Sequence, residues 1–163
     1  MKGLAEGLSY LAKSGVAHQD IKLENIMITT SKDDTSGKPK LQVRFIDFGL
    51  SKVLIVGEKC QDRSGTLVYL SPEVVLCMSH THLTDVWSLG VVLHILLSGI
   101  VPFLSMDKTD LMRNIVRGQL HLGHPSFAGV SSAAKDLLKR MLCADPKGRI
   151  SAKEIACHPW FTL

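Results

Sequence analysis

The segment Leu83–Ser98 constrains the fold of this chain more than any other, because it is apolar almost all round. A helix on the surface of a domain needs a polar face, so an all-round apolar helix belongs in a core. Gly99 follows directly and is the residue type that most often ends a helix. The apolar stretch 86–97 is too short to span a bilayer and is interrupted by Ser88 and His94. We therefore expect a domain built around one buried helix.

Several other segments are typical of amphipathic helices that would pack around the buried one. Segment 1–14 carries Leu4, Leu8 and Leu11 on one helical face, and Gly15 follows as its end signal. The others are 107–117, 131–142 and a short helix opened by the capping box at 151–154. These patterns predict a mainly α-helical domain.

A small β element is predicted between the first helix and the buried one. Runs 26–29 and 41–46 are rich in apolar and β-branched residues, which favours a pair of strands. The polar stretch 30–40 between them contains Gly37 and Pro39, so we expect an unusually long hairpin loop. Segment 51–78 shows no sustained periodicity and is expected to be irregular.

Composition makes several classes of function improbable. The net charge of +4 arises from scattered basic and acidic residues, which gives little support to a nucleic-acid or membrane partner. Glu6 interrupts the apolar start, so no signal peptide or transmembrane segment is expected. The four cysteines form no CxxC pair, which favours reduced thiols. Cys77, His80 and His82 lack a fourth ligand at usable spacing and are expected in a solvated loop.

Three short motifs follow one another along the chain. Residues 18–25 read HQDIKLEN, residues 47–49 read DFG after a predicted strand, and residues 71–73 read SPE. Their order resembles the catalytic loop, Asp-Phe-Gly and Ala-Pro-Glu motifs of the eukaryotic protein kinases. The resemblance continues through DVWSLG at 85–90, DPKGR at 145–149 and HPW at 158–160. It implies a protein kinase domain over 1–163, as a C-terminal lobe with catalytic loop 18–25, activation segment 47–73 and helical subdomain 81–163.

The motif residues suit phosphoryl transfer, which depends on positioning and charge neutralisation. Asp20 can accept the proton of a substrate hydroxyl, and Lys22 supplies a cation beside the phosphoryl group. Asn25 and Asp47 offer the oxygen ligands that Mg²⁺ prefers, and Gly49 lets the backbone turn after Asp47. Taken singly, the acidic and amide residues could be turn or cap residues and Lys22 a solvated charge. Their joint spacing favours a site.

The resemblance also implies a class, a cofactor and a substrate. Lys22 stands in the Asp-x-Lys-x-x-Asn pattern of serine/threonine kinases. The residues of the motifs are most similar to those of the calmodulin-dependent and AMP-activated kinase group. ATP would be the phosphoryl donor, Mg²⁺ the cofactor and proteins the substrates. Lys22, Met27 and Asp47 would contact the nucleotide, whereas Thr66 and Glu24 would lie at the substrate pocket. Glu24 on its own could equally be a solvated charge.

Structural roles are implied for a further group of residues. Glu73 would pair with Arg149 in a buried ion pair, and Asp85 would accept backbone N–H bonds from the catalytic loop. His18 is interpreted as a packed core histidine, because Asp20 already fills the role of the base. The full set is His18, Phe48, Gly49, Glu73, Asp85 and Arg149.

Two departures from the kinase pattern affect the interpretation. Gln19 replaces the arginine that receives an activation-loop phosphate, and Asp62 cannot be phosphorylated, so we expect no switch by loop phosphorylation. The sequence contains no G-x-G-x-x-G loop and no V-A-I-K strand, so we expect a missing N-terminal lobe and exposed Met27 and Phe48.

Two functions remain open at this point. One is the C-terminal lobe of a serine/threonine kinase, inactive alone and completed by an N-terminal lobe or a partner chain. The other is a catalytically inactive half-kinase that acts as a docking or regulatory module. Either is expected in the cytoplasm or the nucleus.

Overall fold

The computed structural model of the protein describes residues 1–32, 39–54 and 65–162. The turn of the predicted hairpin, together with Cys60 and Asp62, lies outside the described residues. The helices are α1 (Lys2–Lys13), α2 (Pro72–Val75), α3 (Leu83–Ser98), α4 (Lys108–Arg117), α5 (Ser132–Met141) and α6 (Ala152–Ala156). The strands are β1 (Val16–Ala17), β2 (Ile26–Lys32), β3 (Pro39–Phe45) and β4 (Lys52–Val53). Short 3₁₀ turns occupy Leu23–Asn25, Leu67–Tyr69, Pro125–Phe127 and Pro159–Phe161.

Helix α3 forms the centre of the hydrophobic core, as the sequence predicted. Trp87, Leu89 and Val91 have no exposed surface, and residues of α1 and α5 belong to the same apolar cluster. Gly99 ends the helix in the left-handed conformation, at a φ of 74°. Within the described part of the chain, no helix has both the length and the apolar character that crossing a bilayer requires.

The other helix predictions are confirmed because their signals are local. Asp107 caps α4 by accepting a hydrogen bond from the Asp110 N–H, and Leu111 and Ile115 form its buried face. Ser131 caps α5 in the same way. The capping box that opens α6 is formed by the side chains of Ser151 and Glu154, again as predicted.

Strands β2 and β3 pair in antiparallel register, and they are longer than predicted. Their pairing runs from Ile26 opposite Phe45 to Lys32 opposite Pro39. The expected loop over 30–40 is therefore wrong at both ends, since 30–32 and 39–40 belong to the strands. Backbone hydrogen bonds between strands do not require apolar side chains at exposed positions. The polar composition of 30–40 therefore did not indicate that its ends belong to the strands. Pro39 is tolerated because it is the first residue of its strand.

The segment expected to be irregular contains short regular elements among its described residues. Lys52 and Val53 pair with β1, and the end of the segment holds a 3₁₀ turn and helix α2. Elements of two to four residues are too short to show a periodicity of 2 or 3.6. Their pairing and packing partners are distant in sequence, which hides them further.

A buried ion pair joins α2 to the loop before α6. The Arg149 guanidinium donates from Nη1 and Nη2 to the two carboxylate oxygens of Glu73, over 2.7 and 2.9 Å. Its other hydrogen bonds go to the backbone carbonyls of Cys143, Leu83 and Ala144. These bonds employ all five N–H donors of the guanidinium. The pair therefore fixes α2 against the helices that follow.

We expect Glu73→Gln to lower the free energy of unfolding by about 3–5 kcal/mol, because it leaves the buried Arg149 charge without its partner. The measurement is urea unfolding of the variant and the wild type, followed by circular dichroism. The matched control is Arg113→Ala, which removes one partner of the exposed Asp110–Arg113 pair and should cost at most about 1 kcal/mol. Equal losses in the two variants would contradict the structural role of the buried pair.

Candidate active site

The loop that follows β1 is held to α3 by one buried carboxylate. Asp85 accepts hydrogen bonds from the backbone N–H of His18 at 2.7 Å and of Gln19 at 2.9 Å. Gln19 has a φ of 65°, in the left-handed region that non-glycine residues adopt only when neighbouring contacts enforce it. Asp85 provides those contacts and thereby directs the next residue, Asp20, towards the candidate site.

Asp20 lies at the centre of a compact set of hydrogen bonds. Lys22 Nζ donates to its Oδ2 over 2.7 Å, and Asn25 Nδ2 donates to the same oxygen over 2.8 Å. Asn25 Nδ2 also donates to the backbone carbonyl of Asp20, at 2.9 Å. Because that carbonyl can only accept, the orientation of the Asn25 amide is fixed, and its Oδ1 is the atom left to ligate a cation.

Asp47 reaches the same region through the end of the β2–β3 hairpin. The backbone N–H of Ile46 donates to the carbonyl of Asn25 over 3.0 Å, which sets Asp47 beside the Asn25 end of β2. Asp47 itself adopts a φ of 62°, and its Oδ1 accepts from the Gly49 N–H at 3.1 Å. Aspartate tolerates this conformation because its short side chain can bond locally.

The backbone turns at Gly49 directly after Asp47, as expected, and the Ser51 N–H closes this turn by donating to the Phe48 carbonyl over 3.0 Å. The left-handed residue of the motif, however, is Asp47. A Cβ at position 49 would lie 3.1 Å from Asp47 Oδ1. Glycine is therefore suited to this position by the close approach of the aspartate side chain.

The ammonium group of Lys22 interacts electrostatically with the carboxylates of both Asp20 and Asp47. The hydrogen bond that Lys22 donates to Asp20 is the main cause that raises the pKa of Lys22, and the negative charges of Asp20, Glu24 and Asp47 raise it too. Lys22 is therefore firmly protonated, and its positive charge is stabilised by the negative charges of Asp20 and Asp47.

His18 behaves as a packed residue. Burial lowers its pKa, so the ring is neutral near pH 7. The ring contacts Phe48 at a centroid distance of 4.7 Å and Phe45 at 5.6 Å. These contacts fasten the turn that carries Asp47 to the loop that carries Asp20.

The remaining predicted site residues lie at the edges of this cluster. The Thr66 hydroxyl accepts from Lys22 Nζ at 3.5 Å, so it reaches Asp20 through the lysine. Glu24 is exposed, and Met27 and Phe48 are each almost half exposed, as expected from the sequence.

Three residues of the site were missed by sequence reasoning. The Ser51 hydroxyl donates to the carbonyl of His18 over 3.2 Å. Gly65 has a φ of 106°, and a Cβ there would lie 2.9 Å from the Gln19 carbonyl, so a side chain would not fit. His80 was expected in a solvated loop, but it is only 6% exposed and contacts the Gln19 side chain. Nothing in the local sequence indicates these contacts, which join distant segments.

The described residues contain no group of three or more His, Cys, Asp or Glu side chains suited to holding a metal. A Mg²⁺ ion bound together with substrate phosphates needs only one or two carboxylates from the protein. Asp47 and the Asn25 amide oxygen fit that smaller requirement.

Comparisons with known proteins show the family. A profile of the protein kinase domain matches residues 1–161. Serine/threonine-protein kinase 33 of Bos taurus is 34% identical over 99% of this chain and 34% of its own length. Calcium-dependent protein kinase 4 of Plasmodium berghei is 36% identical over 100% of the chain and 30% of its own length. Calcium-dependent protein kinase 24 of Oryza sativa subsp. japonica is 39% identical over 90% of the chain.

The chain therefore belongs to the protein kinase family, in its eukaryotic serine/threonine class. The similarity to calcium-dependent protein kinases agrees with the calmodulin-dependent group that the motifs indicated. The chain spans only 34% and 30% of the length of the first two relatives named above.

The buried Asp85 predicts a pH dependence of stability. Burial raises its pKa from 3.8 to about 6, although the hydrogen bonds from His18 and Gln19 oppose this. The folded state therefore binds this proton more tightly than the unfolded state, so the contribution of Asp85 to stability is largest below pH 4. That contribution falls as the pH rises from about 4 to about 6 and is constant above.

The test is to follow the difference in unfolding free energy between the wild type and Asp85→Asn by urea titration from pH 4 to pH 7. Since the asparagine does not titrate, the wild type should lose about 2–2.5 kcal/mol relative to the variant across this range. A difference that stays constant with pH would show that Asp85 is not desolvated in the folded protein.

Proposed function

We propose that this chain is the C-terminal lobe of a serine/threonine kinase domain, and that this domain, completed by an N-terminal lobe, transfers the γ-phosphoryl group of ATP to protein hydroxyl groups. One observation carries the proposal. The carboxylate of Asp20, on a loop fixed by Asp85, is bonded to both Lys22 and Asn25, while Asp47 is brought to the same cluster by the β2–β3 hairpin. This is the set of groups that phosphoryl transfer requires.

In this proposal Asp20 is the general base. The oxygen of the substrate hydroxyl forms a bond to the γ-phosphorus, the bond from that phosphorus to the bridging oxygen of ADP breaks, and the hydroxyl proton passes to Asp20. Lys22 is already protonated beside Asp20, and its ammonium group stabilises the negative charge of the transferring phosphoryl group. Nothing covalent forms on the protein, so the site acts through positioning and charge.

Asn25, through Oδ1, and the Asp47 carboxylate would hold the metal. Mg²⁺ neutralises phosphate charge when it is bound. The chain contributes the orientation of its two ligands. The Asn25 amide is fixed by its bonds to Asp20, and the Asp47 side chain is fixed by the Gly49 N–H.

We also propose which residues at the edge of the site contact the substrate and which contact the nucleotide. We assign Met27, together with Lys22 and Asp47, to the nucleotide. Thr66 and Glu24 are assigned to the acceptor side, which the Thr66–Lys22 hydrogen bond supports. The domain is divided into the catalytic loop 18–25, the activation segment 47–73 and the helical subdomain 81–163.

Structural roles are proposed for the residues around the site. His18 and Phe48 join the two halves of the site by ring contact, and Gly49 admits the Asp47 side chain. Glu73 and Arg149 anchor the end of the activation segment. We also propose that the protein acts in the cytoplasm or nucleus, which is supported by the free cysteines Cys77, Cys143 and Cys157.

A second candidate function is a docking or regulatory module without catalysis. It is favoured by an open apolar groove of about 340 Å³ between α1 and β3, lined in part by Tyr10, Phe45 and Phe48. An exposed apolar surface of this kind is suited to binding another protein. The partner could be the N-terminal lobe of a kinase. The two candidates differ in nucleotide binding, since a pure docking module needs no affinity for MgATP.

We expect Asp20→Asn to lower kcat for phosphoryl transfer by about 10²–10⁴-fold in the complete polypeptide, because the substrate hydroxyl loses its base. The affinity for MgATP should change little. The assay is transfer of labelled phosphate to a serine/threonine peptide library, with nucleotide affinity measured by calorimetry. Asp145→Asn, an exposed aspartate in the loop before α6, is the matched control and should leave both quantities unchanged.

Two results would contradict the kinase proposal. One is an Asp20→Asn variant that keeps the wild-type kcat. The other is a wild-type polypeptide that neither binds MgATP nor transfers phosphate, and this would favour the docking module.

A further inference from the structure

The base of the activation segment encloses a small polar cavity next to the catalytic loop. Its volume is about 10 Å³, and its walls include Gln19, Ser71, His80, Thr84 and Asp85. These residues come from three separate parts of the chain. Gln19 belongs to the catalytic loop, Ser71 and His80 flank α2, and the other two lie in the first turn of α3. The cavity is therefore the place where the activation segment meets both the core and the site.

Two residues at this cavity depart from the kinase pattern, and both place an uncharged polar side chain there. Gln19 replaces a charged arginine, and Ser71 replaces the alanine of the Ala-Pro-Glu motif. In the family pattern, a phosphate on the activation loop bonds the arginine and orders the segment. A glutamine cannot neutralise a phosphate, but it can form directed hydrogen bonds with neutral groups.

His80 provides such a group. Its Nδ1 lies 3.3 Å from the carbonyl of Met78, which can only accept, so Nδ1 carries the ring proton. In the neutral ring Nε2 is then an acceptor, and it lies 3.2 Å from the Gln19 Nε2 donor. Met78 is held in turn by its backbone N–H, which donates to the carbonyl of Glu73 over 2.8 Å. A chain of bonds thus runs from the anchored α2 through His80 to the residue before Asp20.

Two buried hydroxyl groups face the same cavity. Ser71 is 1% exposed and Thr84 5%, and neither hydroxyl has a hydrogen-bond partner among the described residues. Buried hydroxyl groups of this kind are usually satisfied by an ordered water, and the cavity is of the size that one water needs.

We propose that His80 is a positioning residue that, together with one water molecule held by Ser71 and Thr84, fastens the activation segment to Gln19 and so orients Asp20 without a phosphate. This inference rests on the proposed kinase function and adds to it the contact that keeps the catalytic loop in place. The linkage contains neither a phosphate nor an arginine, and the Asp85 carboxylate holds the backbone of Gln19.

The experiment compares three substitutions of His80 in the complete polypeptide. Glutamine places an amide oxygen near the position of Nε2 and keeps the acceptor for Gln19. Asparagine reaches only the position of Nδ1 and keeps the bond to Met78, whereas phenylalanine removes both bonds. The control is His94→Gln, since His94 is equally buried and bonds a backbone carbonyl, that of Ile100, away from the loop.

We expect His80→Phe and His80→Asn to lower kcat about tenfold or more, with the KM for ATP unchanged within about twofold. His80→Gln and His94→Gln should keep kcat within about threefold of the wild type. Hydrogen exchange at the Gln19 and Asp20 amides should accelerate about tenfold in the first two variants only. This readout needs no activity, so it tests the positioning role even if the wild type proves not to be a kinase.

Three outcomes would overturn the proposal. The first is equal kcat in all the variants. The second is a loss in His80→Gln as large as in His80→Asn, with unchanged amide exchange. The third is a crystal structure at high resolution without an ordered water within hydrogen-bond distance of the Ser71 and Thr84 hydroxyls. If His80→Phe does not fold, the comparison of asparagine with glutamine decides alone.

Discussion

Asp85 accepts the backbone N–H groups of His18 and Gln19 from the start of the buried helix α3, and the geometry of the site depends on these two bonds. The carboxylate is almost fully buried, so its charge is costly unless the loop supplies donors. The core and the loop therefore stabilise each other. The loop satisfies the buried charge, and the charge holds Gln19 in a backbone conformation that it would not adopt alone.

Two further contacts complete the arrangement around this one. The β2–β3 hairpin brings Asp47 to the end of β2, and the ring of His18 packs on Phe48 beside it. On the other side, the Glu73–Arg149 pair fixes α2 to the helices that follow. Asp20 and Asp47 thus lie on loops that are tied to rigid elements, an arrangement that suits the catalysis by positioning that we propose.

Sequence reasoning predicted those parts of the fold whose signals are local. The all-round apolar α3, the Asp107 cap and the Ser151–Glu154 capping box are each encoded within a few residues. The full length of the hairpin and the short elements near α2 were not predicted, because backbone pairing between distant residues leaves no periodicity. In the site, the motifs supplied the residue types. The left-handed Asp47 and the His80–Gln19 contact required coordinates, since neither follows from spacing.

We propose that Asp20, Lys22, Asn25 and Asp47 surround one magnesium-bound phosphate. A crystal structure of the complete polypeptide with Mg²⁺ and a non-hydrolysable ATP analogue would test this arrangement. We expect a metal about 2.0–2.1 Å from Asn25 Oδ1 and from an Asp47 carboxylate oxygen, with Lys22 and Asp20 beside the γ-phosphate. A nucleotide bound elsewhere, or a metal that Asn25 and Asp47 do not share, would contradict it.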